Sequence, residues 1–186
     1  VQGMQAAGAQ VEVIHLRTQK IKNCIGCFTC WTKTPGVCIH KDDMSATLFA
    51  KFLAADLVIL ATPLYHFTVN AALKAFIERT LPMLQPFFVE YKGHTVHPLR
   101  HAHPNVAMLS VAGFHEASVF DQLSSWARFL FGKKLVAELY RPGAEALTTR
   151  FYAQKVQEIL AAAVQAGREL VDARQVSAET MARFNE

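Results

Sequence analysis

Long apolar runs are missing from this sequence. No stretch approaches the roughly 18 consecutive apolar residues that a bilayer-spanning helix needs, and no basic-then-apolar leader with a small-residue cleavage site opens the chain. The expectation is a cytoplasmic protein with no membrane partner. Cysteine is absent from almost all of the chain: the four cysteines fall between Cys24 and Cys38. That distribution argues against a secreted disulfide framework and for local thiol or metal chemistry. Blocks of like charge are lacking too. The formal net charge is +4 with a pI near 9.0, but Lys and Arg are scattered among Asp and Glu. Nucleic acid is therefore not an expected partner, whereas a mild positive field favours small anions such as nucleotide phosphates.

What is present suffices for a core. With 186 residues, 52% of them hydrophobic, the chain is expected to fold as one domain over residues 1–186. Gln2 to Gly8 reads as the last turns of a helix ending at glycine. Val11 to Leu16 alternates apolar and polar residues and reads as a strand. Asp42 and Asp43 open a helix through Leu48, Phe49, Phe52 and Leu53 that ends near Asp56, because aspartates cap free amides and suit the positive helix end.

Leu57 to Ala61 and Val106 to Leu109 are unbroken apolar runs, as parallel strands covered on both faces require. The first leads into a loop, Thr62 to Phe67, and then a helix capped by Asn70 with Leu73, Phe76, Ile77 and Leu81 at helical spacing, limited by Pro82. Phe87 to Pro104 reads as irregular. The second strand leads into the loop Val111 to His115 and a helix from about Ser118 to Phe131 that Gly132 stops. Leu135 to Leu139 is the last strand, followed by a helix from roughly Ala144 to Val171 and a short polar tail. Strands separated by helices imply βαβ units and a mostly parallel, doubly wound sheet, with ligands beyond the carboxyl ends of the strands. That places the loops at Thr62 and Ala112 to hold one.

Cys24, Cys27, Cys30 and Cys38 have the spacing C-x2-C-x2-C-x7-C, with three thiols in one compact loop and a fourth after a turn. The triplet is like the run that binds iron–sulfur clusters in bacterial ferredoxins, although the fourth cysteine lies further on and Ile39, not proline, follows it. A four-thiolate zinc site and metal-free, redox-active thiols beside Lys22 or Lys33 remain alternatives. His94, His97, His101 and His103 are close in sequence, but among Pro98, Arg100 and Pro104 they read as polar residues of a surface excursion.

The stretch from Cys24-Ile-Gly-Cys-Phe-Thr-Cys-Trp through Pro35-Gly-Val-Cys38 to Asp42-Asp43-Met44 resembles the signature of the NADPH-dependent FMN reductase and iron–sulfur flavoprotein group. Pro63-Leu-Tyr65, followed by Leu73-Lys-Ala-Phe-Ile-Glu-Arg79, is a second match. The resemblance implies an α/β, flavodoxin-like doubly wound parallel sheet in three layers, α/β/α. It implies FMN with NAD(P)H as electron donor, and a [4Fe-4S] cluster as the candidate guest of the cysteines. By the same resemblance Thr62, Pro63, Leu64, Tyr65, His66 and Phe67 line one side of the flavin, and Ala112 and Gly113 the other. In this family a first strand and phosphate-binding loop come earlier in the chain, so the expectation is a protein that extends upstream of Val1. The implied function is an NAD(P)H oxidoreductase passing electrons to the cluster or to a quinone or flavin acceptor, as a homodimer or homotetramer with small-molecule donor and acceptor. An electron carrier without NAD(P)H turnover and a thiol or zinc redox sensor are the alternatives. No catalytic side chain is named, because the flavin performs the chemistry.

Overall fold

The computed structural model describes residues 1–185. In chain order the helices are α1 (Gln2–Ala6), α2 (Thr29–Thr32), α3 (Phe49–Ala54), α4 (Ala71–Glu78), α5 (Asp121–Phe131), α6 (Ala153–Asp172) and α7 (Ala178–Asn185). The strands are β1 (Leu57–Pro63), β2 (Val89–Tyr91), β3 (His94–Val96), β4 (Asn105–Val111) and β5 (Leu135–Arg141). The backbone divides into two compact units. A sheet unit comprises Val1–Ile14, Ile59–Asn70 and Asn105 onward, and a cysteine unit comprises His15–Val58 and Ala71–Pro104.

In the sheet unit the strand order is β1-β4-β5. β4 and β5 run parallel, with Ala107 opposite Ala137 and Val111 opposite Arg141. Val106, Ala107 and Met108 are wholly buried, which is why this strand could be read as an unbroken apolar run. β5 shows the layers through its alternation. Glu138 accepts hydrogen bonds from Ser124 Oγ at 2.6 Å and Arg128 Nε at 2.7 Å, both on α5, and Tyr140 stacks on Phe120. Leu139, with the opposite orientation expected of its neighbour in a strand, enters a cluster with Ile159, Ala162 and Ala166 of α6 and Phe184 of α7. Helices therefore cover both faces. α1 lies so close to α6 that a Cβ on Gly3 would stand 1.8 Å from the Val164 carbonyl oxygen.

Four expectations are corrected. Val11 to Leu16 is no strand: residues 9–15 are irregular and Leu16–Thr18 forms a 3-10 turn. No strand runs beside it among the described residues, and alternation without a ladder partner does not make a strand. Phe87 to Pro104 is not wholly irregular. It contains the β2–β3 hairpin, closed by Lys92 and Gly93, both at positive φ, as the twist of a two-residue hairpin demands. The last long helix starts at Ala153 instead of Ala144, because 144–148 and 150–152 form 3-10 turns. The polar tail holds α7, whose start is tied by Glu169.

In the cysteine unit, a π-helical turn over Met44–Leu48 leads into α3. Ser45 N donates to Asp42 Oδ1 at 3.1 Å, the cap expected there. Phe52 of α3 meets Phe76 of α4 edge to face, with ring centroids 5.7 Å apart.

Candidate functional site: a loop pair and a cysteine-lined pocket

The loops after β1 and β4 come together at the carboxyl ends of their strands. Leu64 N donates to the Val111 carbonyl at 2.9 Å, and the rings of Phe67 and Phe114 stack with centroids 6.0 Å apart. Tyr65 and Thr68 exchange two 3.0 Å backbone hydrogen bonds, closing a two-residue turn. Its centre is His66 and Phe67, at φ 46° and 62°. Both values are positive, as a type I′ turn requires, yet neither residue is the Asn or Gly that normally fills such positions. Strain of this kind persists only where the surroundings impose it, and it concentrates at ligand-binding segments.

The expected site residues separate into supports and surface. Thr62 is buried, and its hydroxyl donates to the Pro63 carbonyl and accepts from Asn70 N. Ala112 is also buried: its N–H donates to the Arg141 carbonyl, and its own carbonyl accepts from Ala144 N. These two brace the loops. Pro63 and Leu64 are half-buried, whereas His66 and Gly113 are exposed. Tyr65 is 59% exposed, Phe67 48% and Phe114 56%, so three aromatic side chains face outward beside these turns. A Cβ on Gly113 would come 3.2 Å from Glu145 Oε1, so a larger residue there would crowd the loop. A flat aromatic cofactor needs an apolar surface beside backbone polar groups, and the loop pair has that composition.

The four cysteines meet in the other unit. Cys24, Cys27, Cys30 and Cys38 all line one pocket, together with Arg79 and His40. All four are free thiols; Cys30 is buried and Cys27 exposed. Left-handed backbone at Gly26 and Phe28 bends the chain into α2, and Gly36 N donates to the Cys30 carbonyl at 2.9 Å, folding the loop back. Hydrogen bonding to the Thr29 side chain and backbone lowers the Cys27 pKa. Burial, followed by the charges of Cys38, Cys24 and Cys27, raises that of Cys30. The four cysteines share a pocket, but among the described residues no three His, Cys, Asp or Glu side chains are arranged to hold a metal ion.

One residue of this pocket stood in the sequence only as the end of a motif. Arg79, just beyond α4, is 2% exposed. It donates to Asp42 through both terminal nitrogens, at 2.6 and 3.0 Å, and to the Lys22 carbonyl and Ser45 Oγ. Burial alone would raise the Asp42 pKa, but the Arg79 guanidinium and the amides of Lys22 and Ser45 hold it well below the usual carboxylate range. The Arg79 pKa is itself raised, with Asp42 and the Cys38 sulfur outweighing desolvation. Trp31 Nε1 donates to the Leu81 carbonyl, and its ring lies between those of Phe28 and His97. His97 in turn packs on Phe88, and His103 meets Phe52.

A parallel sheet with helices on both faces and a loop pair at the carboxyl ends of its strands defines a flavodoxin-like α/β protein. The solved structure of the azoreductase AzrA matches 91% of this chain and 86% of its own, with a TM-score of 0.54 at 17% identity, and supports that fold. The profile of the NADPH-dependent FMN reductase family matches residues 1–135, and the chain belongs to that family. An iron–sulfur flavoprotein of Archaeoglobus fulgidus is 42% identical over 79 residues, which is 42% of this chain and 34% of the relative. An FMN-dependent NADH:quinone oxidoreductase of Bradyrhizobium diazoefficiens is 32% identical over 92 residues, 47% of this chain and 45% of the relative. The chain thus spans between a third and a half of the length of these curated relatives.

Proposed function

We propose that the protein is an FMN-dependent NAD(P)H oxidoreductase whose electrons pass to a [4Fe-4S] cluster on Cys24, Cys27, Cys30 and Cys38, or to a quinone or flavin acceptor. The observation that carries this reading is the bond from Leu64 N to the Val111 carbonyl, which joins the two loops at the strand ends where ligands of such sheets bind. FMN, when bound, supplies the hydride and electron chemistry. The chain's part is to hold and shield it. Tyr65, Phe67 and Phe114 offer an aromatic surface, the turn at His66 and Phe67 fixes its outline, and Thr62 and Ala112 keep the loops from moving apart.

The names of the relatives support the flavin, the nicotinamide donor and, for the archaeal protein, the cluster. With purified protein and added FMN, oxidation of NADPH or NADH is expected, and Tyr65→Ala with Phe67→Ala is expected to weaken FMN at least tenfold in a flavin-fluorescence titration. Unchanged affinity would remove the loop pair from the account. Binding without turnover would leave an electron carrier.

A further inference from the structure

We infer that Arg79 is the positioning residue of the cysteine pocket: clamped by Asp42, it ties together the two ends of the cysteine loop and turns the positive end of that ion pair toward the sulfurs. The chain enters the loop at Lys22 and leaves it at Asp42. Asp42 Oδ2 accepts from Lys22 N at 2.9 Å while Arg79 donates to the Lys22 carbonyl at 2.7 Å. Asp43 adds a third tie by accepting from Lys20 N at 2.7 Å. Entry, exit and the end of α4 thus meet at one guanidinium.

The chain's own side chains thus close the ends of the cysteine loop. The guanidinium also has a direction. Its two terminal nitrogens are taken by Asp42, Ser45 and Lys22, and the residue lines the pocket with all four cysteines, the Cys38 sulfur helping to raise its pKa. Several thiolates around a cluster carry net negative charge, and the positive end of the Arg79–Asp42 pair, nearer to them than the carboxylate that partly offsets it, favours their assembly and eases addition of an electron. A lysine would keep the charge but lose the two-pronged grip on Asp42.

This inference rests on the cluster reading, and the test keeps the two apart. Wild type, Arg79→Lys, and the neutral pair Arg79→Gln with Asp42→Asn, which retains hydrogen-bonding groups where a lone Arg79 substitution would strand a buried carboxylate, are reconstituted anaerobically with iron(II) and sulfide. Iron and acid-labile sulfide per chain are counted, and the cluster is titrated with dithionite as electron donor. The neutral pair is expected to retain less than a tenth of the wild-type iron, or to keep it at a more negative midpoint potential, with Arg79→Lys between. Wild-type iron and an unshifted midpoint in the neutral pair would overturn the inference. If wild type itself takes up no iron, the cluster reading fails, and hydrogen exchange decides the clamp without metal. Exchange at the Lys22 and Ser45 amides at least tenfold faster in the neutral pair supports it, and unchanged exchange overturns it.

Discussion

At the scale of the residue, the turn at His66 and Phe67 holds two non-glycine residues in the left-handed region. Each non-glycine residue in the left-handed region costs about 1–2 kcal/mol, and both central positions of this turn are so placed. Asn-Gly suits the same backbone. His66→Asn with Phe67→Gly is therefore expected to raise the unfolding free energy by about 1–3 kcal/mol in urea titration, while weakening FMN because the Phe67 ring is lost. A variant no more stable than wild type would mean that the strain is no larger than the Phe67–Phe114 packing it gives up. The cysteines could be read from the sequence because their chemistry and spacing are local. Arg79 could not be given a role, because its partner Asp42 is 37 residues away and an isolated arginine in a helical pattern reads as a solvated charge.

At the scale of the element, β4 was legible since burial on both faces writes itself as consecutive apolar residues, and β1 and β5 were legible from their apolar stretches Leu57 to Ala61 and Leu135 to Ala137. α7 was not, because it buries only Thr180 and Phe184 and is held by a contact from outside itself. Glu169 of α6 accepts from Ser177 N at 2.8 Å, from Thr180 Oγ1 at 2.7 Å and from Ser177 Oγ, just before and within the first turn of α7. The Ser177 amide, with Gln165 and the two hydroxyls outweighing desolvation, lowers the Glu169 pKa to about 2. A carboxylate whose folded pKa is depressed adds stability above its unfolded value, and that stability is lost as pH falls through the folded one. α7 is accordingly expected to loosen between about pH 4.5 and pH 2, with exchange of its amides accelerating in that window. Glu169→Gln should show the acidic behaviour already at pH 7. Equal exchange in the two proteins across the window would assign the docking of α7 to Phe184 alone.

At the scale of the whole molecule, the hairpin of the cysteine unit bears on assembly. A two-stranded ribbon is marginal by itself in water, yet β2–β3 carries exposed Phe87, Phe88 and Tyr91, with Phe88 at 66%. The hairpin does not lack an anchor, since Phe88 packs on His97, and His97 on Trp31. The aromatic face is thus held in place instead of being free to fold back on its own unit. If the expected homodimer or homotetramer forms, these exposed aromatics are the surface tested as its contact. Placing carboxylates at Phe88 and Tyr91, as Phe88→Glu with Tyr91→Glu, sets like charges against each other across a two-fold contact. Light scattering at micromolar concentration is expected to give an assembled wild type and a variant of one-chain mass, with near-UV circular dichroism checking that the chain stays folded. A wild type of one-chain mass, or a doubly charged variant that stays assembled, removes this hairpin as the contact.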